Sequence, residues 1–482
     1  MADPNYRTDP DVIDGFLRDA AGYGQGAADA VVAPRSLDEV VAVMRRAFAE
    51  GAAVTVSGAG TGLCAGRVPI SGIILDTSQL KHIGPVAAGA ITAGAGATLA
   101  DVCEAAESAG WLYPVDPTER GCAIGATVVN NSSGARTYKY GPTRDYVRRI
   151  QCVLADGSVL DVRRGEHIAH NGVLTLDTLS GLLSVPVPEI QQPKVSKNAA
   201  GFASGPELDL IDLLVGSEGT LCVVTEVELG LVPPPEDVVG LLAFFMEDGP
   251  LLAAVEAFRG AAAPLDVCAV EYIDRRALEL VRDVFPNVLL GASALYVELE
   301  VHGEDPLDHL EGFLDEADDV WVASSPAERK DIRDVRHAVP AQFNELVSRS
   351  GYPKLGTDLA VPHDRFREMF AFYYRELEAL GVRFAVWGHI GDAHLHCNVL
   401  RTNDDEAERS DALYGRFVDK CLELGGTVSA EHGIGKRKVG YLRKMYGADG
   451  ISQMLATKLI LDPKGLLGRG NLFDVSRLPK LS

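Results

Sequence analysis

The stretch VSGAGTGLCAG, residues 56–66, sets Gly58, Gly60, Gly62 and Gly66 directly behind the β-rich run AAVTV. Turns free of side chains let successive backbone N–H groups converge on an anion, typically a phosphate. The flanking sequence supplies strands and helices in alternation. In VVAPRSLDEVVAVMRRAFAEG, Pro34 ends an extended run, Ser36 predicts an N-cap, Glu39 completes a capping box and Gly51 closes the helix. ITAGAGATLADVCEAAESAG repeats strand, turn and helix. This alternation predicts an α/β unit. The loop lacks the dinucleotide fingerprint GxGxxG, because Leu63 stands where the third glycine belongs and no helix clearly starts there. On its own it is read equally well as an ordinary glycine turn.

Two more small-residue stretches weigh against an ordinary turn. YPVDPTERGCAIGATVVNNSSGARTYKYGPTRDYV spaces Gly121, Gly125, Gly134 and Gly141 among small and amide side chains. Few packing demands produce such a run, whereas a flat, polar-edged ligand lying along the backbone does. GSEGTLCVVTE, residues 216–226, is a third such loop and runs into a strand.

GHIGDAHLHCN, residues 388–398, carries three of the chain's eleven histidines within eight residues. RFAVWGHIGDAHLHCNV reads as a strand, a glycine turn at 388–391 and a second strand. Side chains alternate along a strand, so His394 and His396 share a face. Geometry alone nominates either that pair or His389 with His396 across the turn. SAEHGIG, residues 429–435, adds Glu431 and His432 in a glycine-flanked loop. Imidazole together with carboxylate suits zinc, iron or manganese. A lone histidine is more often structural. Three beside a carboxylate leave the structural and the metal readings in balance.

The whole chain narrows the choices. Its 482 residues allow about three domains. A net charge of -23 repels a phosphate backbone and excludes nucleic acid as a partner. The N-terminus shows no basic-then-apolar signal pattern, and the apolar runs are too short to span a bilayer. The eight cysteines form no CxxC pair, which argues against an iron–sulfur cluster, a zinc ribbon or a disulfide framework. A reducing cytoplasm is the expected home. The hairpin turn ADG and the triple proline at 233–235 punctuate the chain. The segments LLAFFM, ALYVELEVH and RFAVWGHIG alternate with the amphipathic runs LDHLEGFLDEA and RFREMFAFYYRELEALG. They predict an α+β region on an antiparallel sheet. The expected division is 1–235, 236–435 and a returning segment 436–482.

Taken together, these motifs resemble the FAD-linked D-2-hydroxyacid dehydrogenases of the vanillyl-alcohol-oxidase-type flavoproteins, which include D-lactate dehydrogenase and the glycolate oxidase flavoprotein subunit. The likeness runs from about residue 30 to the C-terminus, where LDPKGLLGRGNLF stands against a family ending near DPKGxLNPGKxF. The chain departs at Ala59, in place of a glycine, and at Gly468 and Arg469, in place of Asn-Pro. The resemblance implies an α+β fold: a two-subdomain FAD-binding domain of the PCMH type, plus an α+β substrate or cap domain with an antiparallel sheet. It implies FAD held non-covalently, with Cys64 and Cys122 the thiols that could otherwise attach it. Ser57, Gly58, Ala59, Gly60, Thr61 and Gly62 would wrap the pyrophosphate. Pro114, Asp116, Gly121, Cys122, Gly125, Asn131 and Gly134 would line the isoalloxazine and its linker, and Glu218, Gly219 and Val224 the adenine side. Pro34, Leu63, Gly66, Pro117, Thr118, Ala126, Val128, Ala135, Tyr140, Gly141, Val223 and Asn471 complete the implied contacts, with Glu431 and His432 beside them.

The family pattern GHxGDGNxHxN followed by SGEHGxG carries over His389, His396 and Glu431 as ligands of a divalent metal (zinc, manganese or iron), and His432 as catalytic base. His394 falls where the family has asparagine and is read as facing the substrate or standing outside the ligand set. A 2-hydroxy acid would chelate the ion, His432 would take the hydroxyl proton, and a hydride would pass to flavin N5. For the substrate carboxylate the resemblance implies Arg336 first, Lys354 second and Asn398 as a third contact. Pro340, four residues after Arg336, stands where some relatives carry Thr or Ser. This points to a small monocarboxylate, D-lactate or glycolate. The expected electron acceptor is an electron-transfer flavoprotein, a quinone, a cytochrome or an iron–sulfur partner subunit. The chain is expected as a homodimer or complex subunit, in the cytoplasm or at the membrane through a partner. Two other readings are a metal-independent FAD alcohol or sugar oxidase, and a flavin-carrying subunit of a larger electron-transfer complex.

Overall fold

The computed structural model describes residues 5–481 other than Gln25, Pro264, Glu304 and Ser324. The strand Ala30–Val32 ends before Pro34, and the helix Leu37–Glu50 starts with the Ser36 hydroxyl accepting the Glu39 amide. The reciprocal arm differs from the expected box: Glu39 accepts the amide of Arg35, at 2.8 Å. Gly51 closes the helix at φ 69°, a left-handed conformation that glycine adopts without strain. A three-stranded parallel sheet lies alongside, in the order Ala30–Val32, Ile73–Asp76, Val54–Ser57.

The second strand–helix unit, Ala90–Gly94 and Leu99–Ser108, does not extend that sheet. Its strand pairs antiparallel with Val223–Gly230, which continues to Val147–Val153 and Val159–Arg163. The α/β expectation therefore holds for the first unit only. The tight turn at Asp156 and Gly157, the latter at φ 85°, doubles the chain back and makes neighbours antiparallel.

Beyond the prolines at 233–235 comes an eight-stranded antiparallel sheet. Its order is Asp319–Ala323, Asp237–Phe245, Ser293–Val301, Asp266–Ile273, Phe384–Gly388, His394–Val399, Leu355–Gly356, with Leu359–Ala360 also on His394–Val399. Within Asp237–Phe245, Leu242 and Phe244 pack in a core with residues of the helices Arg275–Val281 and Pro326–Ser350. Leu241, Ala243 and Phe245 face the main core. Both faces are covered, so the run VVGLLAFF shows no alternation. Each large apolar side chain buried there contributes roughly 1.5–3 kcal/mol. The fold is α+β, as the resemblance implied.

The amphipathic helix expected over LDHLEGFLDEA is absent. Only the 3₁₀ turn Pro306–His309 forms. Gly312 takes φ 85°, and the Asp315 carboxylate accepts its amide at 3.0 Å. Both compete with helical hydrogen bonding. At the other end of the chain, the kinked helix Val439–Leu461 leads into residues 462–473. There the Val54 amide donates to Leu466 O at 2.9 Å, and the Gly468 amide to Val54 O at 3.0 Å. A Cβ on Gly468 would meet Gly219 O at 2.9 Å, so this close approach selects glycine.

Candidate active site

The strands Phe384–Gly388 and His394–Val399 form a hairpin, with Trp387 opposite His396 and the 3₁₀ turn Ile390–Asp392 at its tip. His394, His396 and Asn398 share one face of it. The turn is packed tightly, since a Cβ on Gly391 would come 2.6 Å from the Tyr138 ring. Residues 429–435 approach the hairpin from a separate loop that hangs on two carboxylates. Asp358 accepts the amides of Glu431 and His432 at 3.0 and 3.1 Å. Glu218 accepts those of Ile434 and Gly435 at 2.7 and 2.6 Å.

This arrangement brings His389, His394, His396 and Glu431 together, with one ligating atom from each lying within 4.8 Å of the others. His389 Nε2 is 3.3 Å from Glu431 Oε1, and His396 Nε2 is 3.8 Å from Glu431 Oε2. The outer nitrogens fix the tautomers. His389 Nδ1 donates to Glu271 at 2.6 Å, and His396 Nδ1 to the Thr357 carbonyl at 2.9 Å. Both Nε2 atoms therefore point inward, and His389 presents a lone pair there once an ion displaces its second proton. Burial opposes charge on His389, yet Glu271 and Glu431 on either side lift it to about 9. Burial would raise the Glu431 carboxyl, but His389 and Lys197 hold it well below the usual carboxylate range. Burial and the neighbouring rings instead hold His394 and His396 neutral, the form in which imidazole ligates a metal. The donor set fits a borderline divalent ion. A second acidic group, Asp266 with Glu300 and His302, is already neutralised by Lys139, at 2.6 and 2.7 Å from the two carboxylates.

His432 stacks on His396, with ring centroids 5.3 Å apart, and its Nδ1 lies 3.7 Å from Asp358. Burial lowers its pKa, only partly offset by Asp358, so the ring is neutral and able to accept a proton. The Lys354 charge adds to the burial that keeps His432 neutral. The Lys354 ammonium lies 5.6 Å from the Trp387 ring centre. Asn398 and Lys354 flank Gly356. Arg336 is already engaged: Nε and a terminal nitrogen contact Glu271 Oε2 at 2.6 and 2.5 Å. It supports His389 through that carboxylate. Pro340 lies inside the helix Pro326–Ser350, where it can give no amide to the Arg336 carbonyl.

Sequence reasoning missed Glu271, Asp358 and Lys197. Lys197 is buried and contacts Glu431 at 2.7 Å, Asp392 at 3.2 Å and the Gly134 carbonyl at 2.6 Å. Ser133 also donates to Glu431, at 3.1 Å. These contacts join the second glycine stretch to the hairpin.

On the cofactor side, the amides of residues 59–63 donate to no acceptor among the described residues, and the space before Gly62 is open. Five free consecutive amides fit an anionic pyrophosphate. A Cβ on Gly58 would meet Ala123 and Ala126 at 3.1 and 3.3 Å, so this loop lies against the start of the helix Ile124–Asn130. Gly125 abuts Ala95, and Gly134 abuts Asp116. Asn471 donates to the carbonyls of Gly66 and Glu218, at 2.9 and 3.1 Å, drawing the last segment to the same place. Other expected contact residues also make contacts within the protein. Val128 and Val223 fill hydrophobic cores. The Tyr140 hydroxyl donates to Glu300 of the large sheet.

Comparison with known proteins agrees with this architecture. Residues 28–163 match the family described as FAD binding domain, and residues 235–472 the family described as FAD linked oxidases, C-terminal domain. The chain is 30% identical over 472 residues to glycolate oxidase subunit GlcD of Bacillus subtilis (strain 168), covering 95% of this chain and 92% of that protein. It is 30% identical over 473 residues to D-lactate dehydrogenase of Anaerostipes hadrus, covering 93% and 90%. A solved alkyldihydroxyacetonephosphate synthase shares the fold, with a TM-score of 0.65 at 13% identity over 96% of this chain and 81% of that one. No helix among the described residues is long and apolar enough to cross a membrane.

Proposed function

We propose, from the premise that this chain belongs to the FAD-linked oxidases, that it is an FAD- and divalent-metal-dependent dehydrogenase converting a small 2-hydroxy monocarboxylate, D-lactate or glycolate, to the 2-oxo acid. The observation that carries this reading is the convergence of two inward imidazole Nε2 atoms and a carboxylate beside the neutral His432. On this reading residues 1–235 bind the flavin, 236–435 bind the substrate, and 436–482 return to the flavin side.

His389, His396 and Glu431 would hold the ion, and the amides of 59–63 the FAD pyrophosphate. When bound, the flavin supplies a hydride acceptor and the ion a Lewis acid that acidifies the substrate hydroxyl. His432 takes the hydroxyl proton at Nε2, the ring nitrogen not turned toward Asp358, and Asp358 steadies the resulting imidazolium. Lys354 pairs with the substrate carboxylate, with Asn398 alongside. Pro340 offers no hydroxyl to a second carboxylate, which favours a monocarboxylate. Burial pushes the thiols of Cys64 and Cys122 up to about 11 and about 12, which makes them poor nucleophiles and supports non-covalent FAD.

The test is anaerobic mixing of the flavoprotein with D- and L-2-hydroxy acids while the flavin absorbance is followed. D-Lactate or glycolate should bleach it. Chelator-treated protein and His396→Ala should retain flavin but bleach at least about 100-fold more slowly, the scale of a lost catalytic ion contact. Unchanged bleaching after chelation would overturn the metal role. Bleaching only by alcohols or sugars would favour the metal-independent oxidase.

A further inference from the structure

We propose that His394 is a fourth protein ligand of the ion, an inference that rests on the metal reading above. The resemblance has asparagine at this position and implies no ligand there. His394 is 0% exposed, and neither ring nitrogen has a hydrogen-bond partner among the described residues. A buried imidazole with no well-formed hydrogen bond at either nitrogen is costly and calls for a partner. The carboxylate beside it, Asp358, has its Oδ1 3.4 Å from Nε2. That Oδ1 already accepts the Glu431 amide, while Oδ2 takes Lys438, the Ser429 hydroxyl and the His432 amide. The strand His394–Val399 sets the ring on the face of His396, with centroids 4.5 Å apart. A ligating atom of His394 lies within 4.8 Å of those of His389, His396 and Glu431. Three imidazoles and one carboxylate suit a borderline transition ion better than magnesium or calcium.

Cobalt(II) added to the metal-free oxidised flavoprotein gives a direct count. Proton NMR in water should show three exchangeable, strongly shifted imidazole N–H resonances, and His394→Asn should show two. In competition with a chelator, His394→Asn should bind cobalt(II) at least about tenfold more weakly. Two resonances in the unaltered protein would overturn the fourth ligand and leave the three-residue metal site standing. No cobalt(II) binding at all would overturn both. If His394→Asn fails to fold, the count in the unaltered protein decides.

Discussion

Lys354 carries its ammonium with no carboxylate beside it among the described residues, in a chain of net charge -23. Burial alone lowers it to about 8. An uncompensated cation in an acidic protein is a ready partner for an anionic substrate. In the free protein it is charged below that pH and neutral above. The KM for the hydroxy acid should therefore rise as pH climbs through about 8, approaching about tenfold per pH unit, with kcat changing less. Lys354→Met should raise KM about 10–100-fold, the worth of one charge-assisted hydrogen bond, and should remove this alkaline limb. A KM that ignores both changes would assign the carboxylate elsewhere. Spacing marked the two histidine motifs, because strand alternation groups their side chains, but it left two pairings open, and only the family resemblance chose among the residues. Spacing did not mark Glu271 and Asp358. Each is a single acid in an apolar strand context, AVEYI and TDLAV, with no spacing to mark it. The available signal was that acids in such runs stay buried only when paired. Lys197 in KNAAGF is illegible for the same reason.

Elements were legible where periodicity and punctuation agree. The helix Phe366–Leu380 ends at Gly381 with φ 67°, as its sequence predicts. The run at 307–317 has the periodicity but breaks at Gly312. The partner of Ala90–Gly94 was hidden because it lies more than a hundred residues away, in Val223–Gly230. Glycine context also separates two substitutions that look alike in sequence. Gly435 sits at φ 51°, and a Cβ there would come 1.8 Å from the Cys64 carbonyl. Gly435→Ala must therefore displace the loop carrying Glu431 and His432. It should cost at least about 1–3 kcal/mol and most of the activity. Gly415, inside the helix Asp404–Glu423, faces open space. Gly415→Ala should stabilise by about 0.5–1 kcal/mol and leave turnover unchanged. Thermal unfolding and flavin reduction measured on both variants check the pair. Equal effects would mean that the loop tolerates movement.

Across the molecule, the loop of residues 429–435 is the joint between the FAD-binding region and the large sheet. Asp358, next to that sheet, holds its first amides, and Glu218, from the third glycine stretch, holds the next two. Glu218 is itself held in the left-handed region at φ 52°, with its carbonyl accepting from Asn471. The third glycine stretch and the loop bearing Glu431 and His432 are thus tied through one carboxylate. Glu218→Gln keeps the shape but turns one acceptor oxygen into a donor, leaving a buried amide unpaired at a cost of about 1–3 kcal/mol. The loop should then loosen at both ends of its function. Flavin content and metal content of the purified variant should fall together, whereas His396→Ala should lose metal and keep flavin. Absorbance and metal analysis on the same samples distinguish the two patterns. A Glu218→Gln protein with full flavin and full metal would show that the loop is anchored by Asp358 alone.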